Sequence, residues 1–208
     1  NFIAHKSSMN LICIHKQRLK MFKSTFFLLF FIISSQIIFS QTYTWDFKVS
    51  GSGLGHPIIS DKNNDDIIYT GFNNRIHKSY NRGESFSNYG NTIPGSTRIK
   101  TIILNPKDTL QVLVATESSP QRVMKTTDGG FSWFSTGNFS FSYFGIPVTQ
   151  DPSHPDTVYL MDGSIFKASY DFGSTWETIA NVPTNGAPCD IEVFPDSSNI
   201  ILVGDNGT

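Results

Sequence analysis

Cysteine is nearly absent from this 208-residue chain, which holds Cys13 and Cys189 and no other. Cys13 lies upstream of a segment that reads as a cleavable leader, so cleavage would leave Cys189 alone. An isolated thiol forms no intramolecular disulfide and builds no cysteine-based zinc site. It reads instead as a small buried hydrophobe. Arginine is scarce too: after residue 40 only Arg75, Arg82, Arg98 and Arg122 remain. Lys6, Lys16, Arg18, Lys20 and Lys23 all fall before residue 41, which leaves the rest of the chain with 11 basic and 17 acidic residues. A mildly acidic body without a basic stripe excludes a general nucleic-acid binder. A His pair, a Gly-rich phosphate loop and a Ser–His–Asp order are also missing, so no catalytic residue, metal or cofactor is implied.

Long apolar runs are lacking as well. The longest, Phe26 to Ile33, continues through Ser34-Ser35-Gln36 to Phe39. It is interrupted and shorter than the roughly 20 residues that a membrane span needs. Met21, Phe22 and Lys23 precede it and the small Ser40 ends it, the pattern of a secretory signal peptide. The expected division is therefore residues 1–20 as an upstream or mis-assigned segment, 21–40 as signal peptide, and 41–208 as the folded body, with a mature N-terminus at Gln41. Membrane contact is expected only through the signal segment, if it stays uncleaved. The expected location is secreted or at the cell surface.

What is abundant is Phe, Ser, Asn, Ile and Thr, with 16 Gly and 10 Pro, a balance that favours strands and turns. Three segments repeat: Ser79-Tyr-Asn81-Arg-Gly83-Glu-Ser85-Phe86, Thr126-Thr-Asp128-Gly-Gly130-Phe-Ser132-Trp133 and Ser169-Tyr-Asp171-Phe-Gly173-Ser-Thr175-Trp176. Their starts lie 47 and 43 residues apart. Each follows paired apolar runs, such as Ile102 to Leu104 with Val112 to Ala115, that read as strands. Asn73-Asn74, Asp162-Gly163 and Asn206-Gly207 supply tight hairpin turns before a third strand. A fourth strand is expected from the aromatic that closes each box. The unit is thus a four-stranded antiparallel meander of about 45 residues, the size of a propeller blade. The fold class is all-β: an incomplete β-propeller of about three blades plus the start of a fourth.

The boxes resemble the Asp-box, or bacterial neuraminidase repeat, of sialidase-like and sortilin-like propellers. Thr126 to Trp133 and Ser169 to Trp176 fit closely; Ser79 to Phe86 departs with Asn81 for Asp and Phe86 for Trp. The resemblance covers roughly residues 43–208 and implies that the boxes are structural. Their carboxylates accept backbone N–H groups of the turn, Gly130 and Gly173 allow a conformation that a side chain opposes, and the aromatics pack between blades. A signal ending in Phe-Ser before Gln41 resembles exported proteins of Bacteroidetes-type bacteria.

The boxes mark one face of the ring. The opposite face is expected from Ser50 to His56, Ser87 to Arg98, Thr136 to Gly145 and Ala180 to Asp190. Its candidate binding residues are Tyr89, Arg98, Tyr143 and Phe144. A sialidase-like site needs three arginines clamping a carboxylate, a Tyr–Glu nucleophile pair and an acid/base Asp. The matching first strand here reads His56-Pro57-Ile58-Ile59 without arginine. The expectation is a binding or scaffold module whose partner is a carbohydrate or a protein. Two alternatives stand beside it: the N-terminal part of a glycoside hydrolase, sialidase-like or xyloglucanase-like, with catalytic groups beyond Thr208, and an assembly-factor propeller of the photosystem II type. Thr44 to Val49, similar to Ser174 to Ile179, is expected as an outer strand that latches the ring.

Overall fold

A computed structural model of the chain describes residues 57–143, 145–184 and 186–207 in full, and residues 11–17 and 43–50 as backbone. The expected signal peptide, Gln41, the Ser50 to His56 loop beyond Ser50, and Phe144 lie outside the described residues. Every regular element among the described residues is a strand, and no helix there is long and apolar enough to cross a membrane.

Strands β1 (Leu11–Gln17) and β2 (Tyr43–Ser50) form an antiparallel pair apart from the other sheets. The expected latch strand is therefore extended, and its hydrogen-bonded neighbour is β1. The other described residues form three four-stranded meanders and a hairpin. Sheet I is β3 (Ile58–Asp61), β4 (Asn64–Phe72), β5 (Arg75–Ser79) and β6 (Ser87–Tyr89). Sheet II is β7 (Arg98–Leu104), β8 (Val112–Glu117), β9 (Gln121–Thr126) and β10 (Phe134–Phe139). Sheet III is β11 (Val148–Gln150), β12 (Val158–Asp162), β13 (Ile165–Ser169) and β14 (Glu177–Asn181). The hairpin is β15 (Pro188–Val193) with β16 (Ile201–Asp205). Each first strand meets the first strands of its neighbours, so the sheets stand as successive blades of an incomplete β-propeller. In each complete blade the fourth strand begins one residue after the box aromatic; at Trp133 and Trp176 that aromatic turns the corner into the gap between blades.

The core lies between blades. Alternation along a strand sends successive side chains to opposite faces. Ile102, Leu104, Val112, Val114 and Met124 of blade II pack with Tyr69, Ile76 and Tyr89 of blade I. Ile103, Leu113, Ala115 and Val123, one residue out of phase, pack with Val148, Val158, Leu160 and Phe172 of blade III. One irregularity interrupts the alternation. Ile99 and Ile102 both face blade I although their spacing is odd. The register shifts between Ile99 and Thr101, and Lys100 occupies the resulting bulge. A bulge re-aims side chains in this way.

Candidate functional site

In each box the opening hydroxyl and the side chain two residues on are bonded within the turn. In the second box the Thr126 hydroxyl accepts from the N–H groups of Asp128 (3.3 Å) and Gly130 (2.9 Å), and donates to Asp128 Oδ1 (2.8 Å). Asp128 then accepts from the Ser132 N–H (2.9 Å) and the Ser132 hydroxyl (2.5 Å). The third box repeats the arrangement on Ser169, Asp171 and Gly173, with Thr175 N–H and hydroxyl on Asp171. In the first box Asn81 Oδ1 accepts from Ser79 Oγ and Ser85 N–H, both at 2.9 Å. There the Ser85 hydroxyl accepts from Asn81 Nδ2 (3.0 Å), so it reverses its role.

Ser79, Thr126 and Ser169 are at most 1% exposed. They are the hubs of the turns. The sequence pattern includes this opening hydroxyl but gives the turn-locking role to the carboxylate. Hydrogen bonds from Ser132 and Thr126 hold the Asp128 carboxyl down at about 2. Burial opposes the same shift at Asp171, but bonds from Ser169, Thr175 and Ser174 overcome it and hold it at about 2 as well.

The boxes also lie against neighbouring strands and blades. The fourth residue of each turn donates its N–H at the box-side end of the first hairpin: Arg82 to Asp66 O at the start of β4, and Gly129 to Leu110 O and Phe172 to Asp156 O in the connections before β8 and β12. Gly173 has φ 72°, and a Cβ there would come within 2.6 Å of Leu113 Cδ1. Lys125, only 4% exposed, reaches from blade II to the third box and donates to Ser174 Oγ (2.7 Å) and Asp171 O (3.3 Å). Trp133 packs on the core between blades I and II, and Trp176 on that between II and III. Trp176 also meets Phe139 edge-on and donates to Thr136 Oγ1 (3.1 Å).

Two polar groupings on the box face invite comparison with catalytic sites. Asp151, buried, accepts from Ser198 Oγ (2.8 Å) and contacts His154 Nδ1 (3.3 Å). Serine and histidine thus both sit on the carboxylate. A nucleophilic triad needs the histidine between the other two, so this grouping serves as a turn contact between blade III and the hairpin. The other is the Lys107–Asp156 ion pair, exposed, which bridges blades II and III. Among the described residues no three His, Cys, Asp or Glu side chains converge as a metal site.

The opposite face is built where expected, with crossovers beside hairpin turns: Ile93 N–H bonds Asn74 O and Gly163 N–H bonds Ser140 O. The four arginines of the described residues do not converge there. Arg82 is on the box face, paired with Asp66. Arg75 donates to Gly90 O (3.3 Å), and Arg122 bonds Pro120 O and lies against Gly95. Arg98 is paired with Glu117, its cross-strand partner, and lies 5.5 Å from the centre of the Tyr143 ring. Beside it Lys100, only 1% exposed, donates to Ser142 O (2.9 Å) and Tyr143 O (2.7 Å). Burial pushes the Lys100 ammonium pKa down, against a counter-pull from Glu117.

Arg98 and Tyr143 are thus brought together, with Lys100 and Glu117, at the upper junction of blades II and III. Tyr143 is 57% exposed. Tyr89 does not join them. It is 8% exposed and stands edge-on to Tyr69 in the core between blades I and II, with its hydroxyl on Thr109 O (3.2 Å). Its strand β6 is short, and alternation turns Tyr89 inward opposite Ile76. Lys100 is not identifiable from sequence, because its partners lie 42 and 43 residues away.

No protein-family description matches the sequence, and no curated protein matches it. Solved structures do. The chain is similar to one in the nidogen/laminin complex, with TM-score 0.57 and 13% identity over 73% of this chain and 57% of that one. It is similar to an auxiliary nutrient binding protein from Bacteroides thetaiotaomicron, with TM-score 0.54 and 12% identity over 74% of this chain and 36% of that one. It is also similar to an ancestral GH74 enzyme, with TM-score 0.52 and 21% identity over 73% of this chain and 22% of that one. The likeness is one of β-propeller fold, and the chain spans less than two thirds of each of these proteins.

Proposed function

We propose that this chain is part of an exported Asp-box propeller that acts as a binding or scaffold module through the face opposite its boxes. One observation carries the reading: both faces expose aromatics, Tyr80, Phe131 and Tyr170 on the box turns and Tyr143 opposite, but at Tyr143 the ring stands beside a partly exposed arginine–glutamate pair. On the box face the turn hydroxyls and carboxylates are spent on internal bonds. On the other face Tyr143 is offered to solvent at 57% exposure, braced by Arg98 and Lys100. An exposed aromatic on a rigid base is a contact surface rather than a core element. The recurring Ser/Thr-x-Asp/Asn-x-Gly turn in register supports the Asp-box assignment, and an auxiliary nutrient binding protein among the similar structures supports a binding role at the level of fold alone.

The test is an array of glycans and peptides probed with the wild-type chain, Tyr143→Ala and, from the box face, Phe131→Ser. Spots bound by wild type are expected to be lost with Tyr143→Ala and kept with Phe131→Ser. The opposite pattern sinks the assignment of the working face. Export rests on the Met21 to Ser40 segment, and N-terminal sequencing of secreted material is expected to begin at Gln41.

A further inference from the structure

We infer that the Arg98–Glu117–Tyr143 grouping is a binding site for a neutral pyranose residue of a glycan, an inference that rests on the binding-module reading and names its ligand class. The first ground is shape. Tyr143 presents a flat ring to solvent, while the backbone that carries the ring is pinned: Lys100 holds the carbonyls of Ser142 and Tyr143 at 2.9 and 2.7 Å. With its backbone so held and Arg98 5.5 Å from the ring centre, the ring has less freedom to lose on stacking against the C–H face of a sugar.

The second ground is polarity at the ring's edge. Arg98 and Glu117 have side chains 16% and 23% exposed, so the pair is partly open to solvent beside the ring. Both contacts of Arg98 with Glu117 land on Oε2. The pair therefore offers guanidinium donors and the Oε1 acceptor side by side, which suits vicinal hydroxyls, each a donor and an acceptor.

The third ground is charge. Arg98 and Glu117 cancel one another. The Lys100 ammonium is buried and directed at two carbonyls, so its charge is not presented at the surface. Arg98 is already paired with Glu117, so a carboxylated sugar would have to compete with that carboxylate for it. A neutral sugar meets no such penalty.

The experiment titrates the full chain with maltohexaose, cellohexaose and mannohexaose as neutral probes and with hexagalacturonate as the acidic one, following the sugar protons by saturation-transfer NMR. At least one neutral hexamer is expected to bind. Tyr143→Ala is expected to weaken it more than tenfold, Tyr143→Phe less than threefold, and Phe131→Ser not at all. Glu117→Gln, which leaves Arg98 uncompensated, is expected to raise hexagalacturonate binding. Should Glu117→Gln fail to fold, the two Tyr143 variants still decide the matter. Binding of the acidic hexamer alone by wild type overturns the neutral assignment. Neutral binding that Tyr143→Ala leaves intact in a folded protein overturns this site, while the binding-module reading stands. Failure of all four sugars overturns the ligand class, and the glycan and peptide array then reports separately on whether the face binds anything else.

Discussion

A hydroxyl and a carboxylate share each box, but they sit in different surroundings, and the difference predicts unequal costs. Ser169 is 1% exposed, and the Gly173 N–H that it accepts at 2.8 Å has a buried surrounding. Removing that acceptor strands a donor where water cannot follow, a loss of about 1–3 kcal/mol. Asp171 is exposed, so water replaces it for Ser174 and Thr175. Asp171→Ala is expected at the low end of the same range, about 1 kcal/mol. Urea unfolding of Ser169→Ala and Asp171→Ala checks the order; equal midpoints would mean that the hydroxyl is no hub. The carboxylates add a dependence on pH. Their folded-state pKa values lie near 2, below the unfolded carboxylate at about 3.9. A lowered pKa means that the unfolded chain binds more protons in between. The contribution is therefore complete above about pH 4 and is lost as pH falls through about 2. The urea midpoint is expected to fall over that window, and to fall less in an Asp128→Asn/Asp171→Asn chain, which keeps a carbonyl acceptor as Asn81 does in the first box.

At the scale of strands and turns, the joints between blades depend on long side chains that cross from one sheet to the next box. Lys125 of β9 and Ser174 of the third box are one such joint, at 2.7 Å. Burial pushes the Lys125 ammonium pKa down, with Asp171 and Asp156 pulling it back up. A double-mutant cycle with Lys125→Met and Ser174→Ala is expected to give a coupling of about 0.5–1.5 kcal/mol, in the range for directly bonded side chains. Strict additivity would reduce the contact to coincidence. This joint also marks where a sequence stops being informative. The box itself is local: a hydroxyl, an acid and a glycine within five residues, so its position and the meander around it are legible from spacing. Lys125 and its partner are 49 residues apart, and no periodicity links them. Lys100 is further hidden by the bulge at β7, which breaks the period-2 rule that would assign its face. Arg98 is legible as a residue of the face opposite the boxes because it opens an inner strand there. Tyr89 is assigned to that face by sequence because the Gly- and Asn-rich segment around it has the composition of a loop; three residues of β pairing turn it inward to Tyr69 instead.

For the molecule as a whole, stability should grade along the blades, because each sheet buries its two faces only against its neighbours. Blade II is covered on both sides, by blade I over Ile102, Val112 and Val114 and by blade III over Ile103, Leu113 and Val123. Five of the six residues of β8 are buried. Blade III has one such face; on its other side Phe166 and Val182 line an open cleft of about 340 Å3 with Ile201 and Val203 of the hairpin. All five residues of β14 are exposed, and Leu202 of β16 is 59% exposed. Backbone hydrogen bonds in such strands open without disturbing a core, so they exchange their protons through local rather than global unfolding. Amide exchange is therefore expected to be slowest in β7 and β8, intermediate in β12 and β13, and fastest in β14 and β16. Leu113→Ala, at the centre of the II–III interface, is expected to cost about 2–5 kcal/mol and to speed exchange in blades II and III together. Leu202→Ala, on the exposed hairpin, is expected to change stability by less than about 0.5 kcal/mol. Hydrogen exchange read by mass spectrometry distinguishes this gradient from a single cooperative block. Equal protection of β8 and β16, or a Leu113→Ala effect confined to blade II, would mean that the blades are not stabilised through their shared faces.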